Sequence, residues 1–546
     1  MRKITLKLAV FLGLLSSFPL IAISYLGSAV AGLSFIPFDL FDWLTRVLPG
    51  SLVTFGIDNM VATLRAIGLS VSETAKLAEQ LTAILIVIAI GALLGLLLGI
   101  IERASDLDAV RAGLLAGSPL FILLLVAKLS LGLSGSLLLT VIWLFLLTVG
   151  WGAALGYALD WATHASGPYS AEQPQESVDA SRRDALLKLT GAAAGITLGA
   201  WGLGRLARSD SATVAQESGA SQPLSTLAPS APGATAAAPN QGVEIPPTPS
   251  GRITVPPGTR EEVTGNQEFY RIDINTRPPV IDGSNWQLEV GGLFQNPRNM
   301  TIDDLMSYES VTQPITLSCI SNRVAGDLIG TSYWTGVRLR DVLEDLQLSP
   351  EAGALYLESE DGFYETVVAE DMMDERTLLV YGMNGETLPV EHGFPLRIYI
   401  PNRYGMKQPK WIIRMEAIEV WMPGYWVERG WSREARPKIV SVIDTVGTEV
   451  AEDGTVPLGG IAWAGGRGIQ MVEVSVDDGP WQEAQLKAPP LSQLTWVQWR
   501  YDWPQESGRH TFTVRATDGT GELQTAEVSD PHPDGATGYH SVTRTI

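Results

Sequence analysis

The stretch that determines the fold of the soluble part of the chain is TLSCISNRVAGDLIGTSYWTGVRLRDVLEDL, residues 316–346. A short apolar run ends at Cys319, the single cysteine of 546 residues, and a helical segment closes the stretch. A buried cysteine is more often an inert small hydrophobe than a ligand. Here Ser321, Asn322 and Arg323 follow it, and a nearby guanidinium favours the thiolate. A thiolate is a soft donor for transition metals, so we expect Cys319 to bind a metal whose other donors come from a cofactor.

The residue inventory excludes several classes of redox centre. A single cysteine rules out disulfides within the chain, CxxC zinc sites, c-type haem attachment and cysteine-ligated iron–sulfur clusters. No histidine lies inside an apolar run, so a bis-histidine haem within a bilayer is excluded, and we expect no haem and no iron–sulfur cluster. The five histidines are His164, His392, His510, His532 and His540. The net charge of -21 argues against a nucleic-acid partner, which requires a basic face.

The sequence after residue 260 divides into two soluble domains, and Cys319 lies in the first. Residues 261–425 alternate short β-like runs with a few helical pieces, which predicts an α+β domain with a largely antiparallel sheet. In residues 426–546 the helical signals vanish by about residue 437, and short strand-like runs are separated by Gly, Asp and Pro turns. This second pattern predicts an immunoglobulin-like β-sandwich that lacks the antibody disulfide.

These motifs resemble a known family. The opening stretch, the runs NQEFYRIDINTRPP at 266–279 and HGFPLRIYIPNRYGMKQPKWIIRMEAIE at 392–419, and the C-terminal run GGIAWAGGRGIQMVEVSVDDGPWQEA resemble the sulfite oxidase family of molybdopterin-dependent oxidoreductases. The resemblance covers residues 261–546 in the family's domain order. It implies a molybdopterin-binding domain of the sulfite oxidase fold, then a molybdenum-oxidoreductase dimerisation domain and a possible homodimer.

The resemblance also implies roles for particular residues. Cys319 becomes the protein thiolate on molybdenum, and the pterin dithiolene gives the remaining sulfurs. Catalytic candidates beside it are Tyr270, Arg271 and Arg323. The residues implied to bind the molybdopterin cofactor are Asn266, Phe269, Tyr270, Ser359, His392, Arg397, Tyr404, Lys407 and Lys410. A buried anionic cofactor needs such cations and directed N–H donors.

The N-terminal part is apolar. Five segments, 8–26, 81–101, 113–133, 136–158 and 185–204, approach the length that crosses a bilayer, which predicts an all-α transmembrane region over 1–204. Basic residues at the segment ends place the N-terminus in the cytoplasm and everything after about residue 205 outside it. The expected location is therefore the plasma membrane, with several spans and an extracytoplasmic catalytic domain. Residues 205–260 are rich in Ala, Pro and Ser and predict a disordered linker.

The fifth segment begins with an arginine pair, Arg182-Arg183, followed by a mild Gly- and Ala-rich stretch. This resembles a twin-arginine export signal, which carries proteins already folded around a cofactor. The pattern departs from that signal in having Ala185 where phenylalanine is common, and in being internal. The alternative is that both arginines are positive-inside anchors.

The expected reaction is two-electron oxygen-atom transfer on sulfite, a sulfoxide or another small oxo compound. FYRID is one residue shorter before Arg271 than the corresponding run of sulfite-oxidising relatives, which favours a reductase or a different oxo-transferase. Electrons would pass to or from a separate carrier, a cytochrome or a quinone-linked membrane protein. The alternative is a non-catalytic membrane receptor or scaffold that retains the fold.

Overall fold

The computed structural model describes residues 5–105, 107–132, 136–164, 175–219, 245–448 and 450–546. The chain divides into two compact units. The first contains residues 1–48, 76–218 and 274–276, and the second contains 49–75, 219–273 and 277–546. The second unit therefore includes a stretch from the apolar N-terminal part of the sequence, residues 49–75.

The N-terminal part is helical throughout its described residues, as expected. Its helices are α1 Leu6–Ala31, α2 Ile36–Val47, α3 Gly50–Ala66, α4 Val71–Ala104, α5 Ala109–Leu131, α6 Leu137–His164 and α7 Gln175–Gly219. Five of them hold stretches long and apolar enough to cross a membrane, namely Leu6–Ala31, Val71–Ala104, Ala109–Leu131, Leu137–Thr163 and Arg183–Ala207. Each coincides with one of the five apolar segments in the sequence.

Glycines set the close packing of α5 against α6. A Cβ on Gly113 would lie 2.0 Å from the carbonyl oxygen of Gly152, and one on Gly156 would lie 2.2 Å from that of Ala109. Such small residues let two backbones approach closely, which is how apolar helices associate where the hydrophobic effect contributes little.

Helix α7 continues to Gly219, past residue 205 where the linker was expected to begin. Residues 245–260 form neither helix nor strand. The remaining part of the expected linker, 220–244, lies outside the described residues, as does the side chain of Arg182 in the possible export signal.

The α+β domain has two sheets, where the alternating pattern predicted a single, largely antiparallel one. Its elements are β1 Glu289–Gly292, α8 Ile302–Met306, β2 Ser310–Ser318, β3 Ile329–Arg338, α9 Leu339–Asp345, β4 Ala354–Ser359, β5 Tyr364–Val368, α10 Ala369–Met372, β6 Leu378–Met383, β7 Glu386–Thr387, β8 Arg397–Tyr399 and β9 Ile412–Ile418. One sheet has the order β1-β9-β4-β5, and the other has β2-β3-β6-β7 with β8 also paired to β6. Only β1 and β9 run parallel. Apolar side chains from both sheets and from α8 and α9 form one core.

The C-terminal domain is a β-sandwich. Its strands are β10 Val440–Val446, β11 Thr455–Trp463, β12 Ile469–Val476, β13 Gln482–Glu483, β14 Gln485–Leu486, β15 Val497–Pro504, β16 Arg509–Asp518 and β17 His540–Thr545. They form two sheets of four strands, β10-β11-β15-β14 and β13-β12-β16-β17. A shared core that includes Trp499 and Phe512, both fully buried, joins the two sheets.

The β2–β3 hairpin positions Cys319. Its strands pair up to Ser318 and Ile329, and the N–H of Cys319 then donates to the carbonyl oxygen of Leu328 at 2.9 Å. Residues 314–320 and 328–337 are buried, whereas the intervening turn, 321–327, is only half-buried. The cysteine therefore lies at the buried base of a turn that reaches toward solvent.

Candidate active site

Cys319 is a buried thiol whose Sγ lies 3.0 Å from the hydroxyl oxygen of Ser321. Burial raises the pKa of the thiol, and hydrogen bonds from Ser321 only partly oppose it. Arg323, which the sequence led us to expect as the group that favours the thiolate, instead pairs with Asp530 at 3.0 Å. Binding to a metal would require this sulfur to lose its proton.

Tyr270 lies near the cysteine, and Phe269 packs against Tyr270. Both are buried, and their rings stack at a centroid distance of 5.3 Å. A Cβ on Gly405 would lie 3.1 Å from the Tyr270 hydroxyl and 3.5 Å from the carbonyl oxygen of Ser318, so the hydroxyl adjoins the end of β2. Burial raises the pKa of Tyr270, and the nearby thiol of Cys319 adds to this. Tyr270 therefore stays a neutral donor beside the sulfur.

Arg397 and His392 form a buried pair with few counter-charges. The guanidinium of Arg397 donates to the backbone carbonyl oxygen of His392 at 3.0 Å and lies 4.8 Å from the ring centre of Trp334. It forms no ion pair with any described residue, and burial lowers its pKa to about 10. Burial and the positive charge of Lys410 lower the pKa of His392 to about 3, so this imidazole is neutral near pH 7.

Lys410 and Arg271 share one carboxylate. Nε of Arg271 donates to Asp273 at 2.7 Å, and Nζ of Lys410 lies 3.3 Å from the same oxygen. Burial lowers the pKa of Lys410 to about 8, against the raising effect of Asp273. Arg397, Lys410 and Arg271 together carry more positive charge than the carboxylate of Asp273 neutralises.

The other predicted cofactor residues lie at the edges of this region. Nε2 of His392 is 3.0 Å from the carbonyl oxygen of Asn266, whose side chain contacts Glu386 and Asn384. Ser359 ends β4 next to Ile412, and Ile412 in turn donates to the carbonyl oxygen of Leu396. The hydroxyl of Ser359 is buried without a hydrogen-bond partner.

Two predicted cofactor residues already have partners in the fold. The ammonium of Lys407 lies 2.9 Å from Glu365, which is fully buried, so the two form an interior ion pair. The hydroxyl of Tyr404 accepts a hydrogen bond from the N–H of Lys438 at 3.0 Å. Tyr404 also lies near the thiol of Cys319, and the 3₁₀ turn Gly405–Lys407 directly follows it.

Sequence reasoning missed two members of the site. Trp334 packs under both Arg397 and Phe269, and Asp273 neutralises part of the cation cluster. The Arg-x-Asp spacing of Arg271 and Asp273 was a usable signal, because residues two apart on an extended chain can point to the same side. Nothing local marked Trp334, which depends on the pairing of β3.

The arrangement fits an anionic, sulfur-bearing metal cofactor. A buried guanidinium without an ion pair is costly unless an anion lies against it. The unpartnered hydroxyl of Ser359 is a further buried polar group that needs a partner. Near Tyr270, the soft thiol of Cys319 is of the donor type that such a metal cofactor takes. These features together fit a molybdopterin-type oxidoreductase site.

Comparison with known proteins agrees. The family described as "oxidoreductase molybdopterin binding domain" matches residues 275–426, and the "Mo-co oxidoreductase dimerisation domain" matches 434–529. The chain is 31% identical over 188 residues to an uncharacterized oxidoreductase of Bacillus subtilis, covering 34% of this chain and 90% of that protein. It is 30% identical over 283 residues to the sulfite oxidase of Arabidopsis thaliana, covering 42% and 72%. The sulfane dehydrogenase SoxCD from Paracoccus pantotrophus aligns with a TM-score of 0.45 and 19% identity over 60% of this chain and 97% of that one.

The chain belongs to the sulfite oxidase family of molybdopterin-dependent oxidoreductases. It is therefore a molybdenum-dependent enzyme with a dimerisation-type domain after its cofactor domain.

Proposed function

We propose that this protein is a membrane-anchored oxidoreductase that transfers an oxygen atom and two electrons at a molybdenum bound by Cys319. The observation that carries the proposal is that Tyr270 lies near both a buried soft thiol, Cys319, and a buried cation, Arg397, that forms no ion pair with any described residue. The cofactor, when bound, supplies the two-electron oxygen-atom chemistry, and the protein supplies placement and charge.

The residues have distinct roles in this proposal. Arg397, Lys410 and the neutral His392 hold the anionic pterin side, while Asn266, Phe269 and Ser359 line it. Tyr404 and Lys407 shape the adjoining loop. Tyr270 donates a hydrogen bond beside the metal, because its raised pKa keeps the proton on the phenol. Arg271 and Arg323 are the candidate cations for substrate.

The substrate is a small oxo compound. The curated relatives include sulfite oxidases and a nitrate reductase of Volvox carteri, which is 28% identical over 42% of this chain. In this chain the short FYRID run favours reduction of a sulfoxide or another oxo compound over sulfite oxidation.

The location is the extracytoplasmic face of the plasma membrane. Arg2, Lys3 and Lys7 at the N-terminus, with Arg103 and Arg111 after the second apolar segment, support a cytoplasmic start and an external catalytic domain. Export by an internal twin-arginine signal at Arg182-Arg183 would deliver that domain with its cofactor already inserted. A homodimer through residues 434–529 follows from the kind of domain they form.

Electrons pass to or from a separate carrier, a cytochrome or a quinone-linked membrane protein. The basis is the set of ligands that the sequence offers: one cysteine, assigned to molybdenum, and no histidine inside an apolar run. An optical spectrum of the full chain purified without other subunits tests this. Molybdenum–pterin absorption alone is the expected result, and a stoichiometric haem Soret band would refute it.

A non-catalytic receptor is the competing function. Turnover separates the two: the full chain in detergent is assayed with dimethyl sulfoxide and reduced viologen, and with sulfite and ferricyanide. The enzyme proposal expects turnover in one of these assays and none in the Cys319→Ser variant. Absence of turnover from protein that contains molybdenum and pterin would favour the receptor.

A further inference from the structure

The turn that follows Cys319, residues 321–327, is contacted by a segment outside the molybdopterin-binding domain. This segment, residues 49–75, contains α3 and the start of α4 and belongs to the same compact unit as the turn. The turn directly follows Cys319 and is half-buried, so the residues packed on it lie near the candidate metal ligand in the chain.

Asp327 fixes the segment to the turn. Its carboxylate accepts hydrogen bonds from the Ser70 hydroxyl at 2.8 Å, from the Ser72 N–H at 2.9 Å and from the Ser72 hydroxyl at 3.1 Å. A carboxylate at the first turn of a helix is stabilised by the free N–H groups there. Near the other end of the segment, a Cβ on Gly50 would lie 2.8 Å from Cα of Arg429. The segment 49–75 is therefore in close contact with the soluble domains both at Gly50 and at Ser70 and Ser72.

This packing brings Arg65 of α3 to the turn. A Cβ on Gly326 would lie 3.2 Å from Nη2 of Arg65, which places the guanidinium directly against the turn backbone. Arg65 forms no ion pair with any described residue. Burial and the neighbouring charge of Arg323 lower its pKa, and the nearby carboxylate of Asp327 partly opposes this.

Two further arginines meet at the same turn, but both have carboxylate partners. Arg260 pairs with Asp444 at 2.9 Å and reaches the carbonyl oxygen of Gly326 at 3.5 Å. Arg323 pairs with Asp530, whose side chain is 75% exposed. An ion pair this exposed contributes little stability, so Arg323 can exchange Asp530 for another anion at small cost.

We propose that Arg65 and Arg323 together bind the oxygens of a small oxo-anion at the turn after Cys319, so that residues outside the molybdopterin-binding domain select the charge of the substrate. Two guanidiniums present paired N–H donors that match the oxygens of a tetrahedral or trigonal oxo-anion. This assignment rests on the proposed function in naming the ligand a substrate, but the binding of an anion does not depend on turnover.

The test uses sulfate as an unreactive probe. Calorimetric titration of the full chain in detergent compares wild type with Arg65→Gln, Arg65→Lys and a matched control, Arg338→Gln, which removes an arginine of β3 paired with Glu309 and Asp341. Loss of a hydrogen bond to a charged group predicts a sulfate Kd about tenfold higher in Arg65→Gln. Arg65→Lys should fall between, and Arg338→Gln should equal wild type. Equal Kd values in wild type and Arg65→Gln, or no sulfate binding by wild type, would overturn the proposal.

A second readout separates substrate selection from a structural role. In molybdenum-loaded protein, Arg65→Gln should raise KM for an anionic substrate, nitrate or sulfite, and leave both kcat and the KM for neutral dimethyl sulfoxide unchanged. Equal increases for anionic and neutral substrates would contradict anion selection. A chain that lacks molybdenum but shows the expected sulfate difference would refute the proposed function and leave the anion site standing.

Discussion

The guanidinium of Arg397 donates to the backbone carbonyl oxygen of His392 at 3.0 Å, and neither residue has a carboxylate beside it among the described ion pairs. A buried ion without a partner costs several kcal/mol even after relaxation, about the worth of several ordinary hydrogen bonds. We expect a protein to retain such a charge only where a bound anion offsets its cost. The anionic side of the pterin cofactor would be that anion.

Arg397→Met should therefore separate stability from cofactor binding. In protein made without cofactor, the free energy of unfolding should stay equal or rise, because the variant removes the buried charge. In cells that make the cofactor, the purified variant should lose its pterin. Unfolding measurements and pterin fluorescence check the two halves, with Arg340→Met, an exposed-face change, as control. Normal pterin content in Arg397→Met would contradict the assignment.

Removing the charge of Lys407, unlike removing that of Arg397, should destabilise the fold. Its ammonium lies 2.9 Å from Glu365, which is fully buried, so removing one partner strands the other. Lys407→Met should lower the free energy of unfolding by about 3–5 kcal/mol. The double variant Lys407→Met with Glu365→Leu should recover much of this loss. A single variant as stable as wild type would show that the pair is not formed.

His392 gives a pH dependence of defined sign. Its folded-state pKa is about 3, below the value of 6.5 expected when it is unfolded. Between these values the unfolded chain binds a proton that the folded chain does not, so stability falls as the pH drops from about 6.5.

The measurement is the unfolding free energy of cofactor-free protein between pH 7 and 5, for wild type and His392→Gln. Below about pH 6 the wild-type curve should fall more steeply by up to about 1.4 kcal/mol per pH unit. Parallel curves would mean that His392 binds its proton over the same pH range in the folded and the unfolded protein.

An export experiment tests the twin-arginine interpretation of the arginine pair at the start of the fifth apolar segment. If Arg182 and Arg183 form a twin-arginine signal, changing both to Lys keeps the charge and abolishes recognition. The catalytic domain should then remain in the cytoplasm and become resistant to external protease, while the first four segments still insert. Unchanged external exposure of the catalytic domain would rule out the twin-arginine signal and leave the positive-inside interpretation of the pair.

The sequence predicted most of what depends on local pattern. The apolar runs matched the five long helices, and the strand that ends at Cys319 followed from its alternation with turn residues. What it could not show are partners far apart in the chain. Lys407 looked like a cofactor ligand because of its neighbours, yet Glu365, 42 positions away, holds it.

The position of Arg65 depends even more on contacts between residues far apart in the chain. It lies in a helix that the sequence assigns to the apolar N-terminal part, and nothing near it indicates a role in a redox site. Its position depends on three hydrogen bonds between Asp327 and Ser70 or Ser72, which lie 257 and 255 positions before Asp327 in the chain. Only the folded chain brings these together.

The most direct test of the central claim is molybdenum X-ray absorption of the full chain purified from cells that make the cofactor. We predict molybdenum bound by the two dithiolene sulfurs and one further sulfur, and a molybdenum–sulfur coordination number that falls by one in Cys319→Ser while the fold is retained. Absence of molybdenum from the wild-type protein, or a sulfur coordination that Cys319→Ser leaves unchanged, would contradict the account.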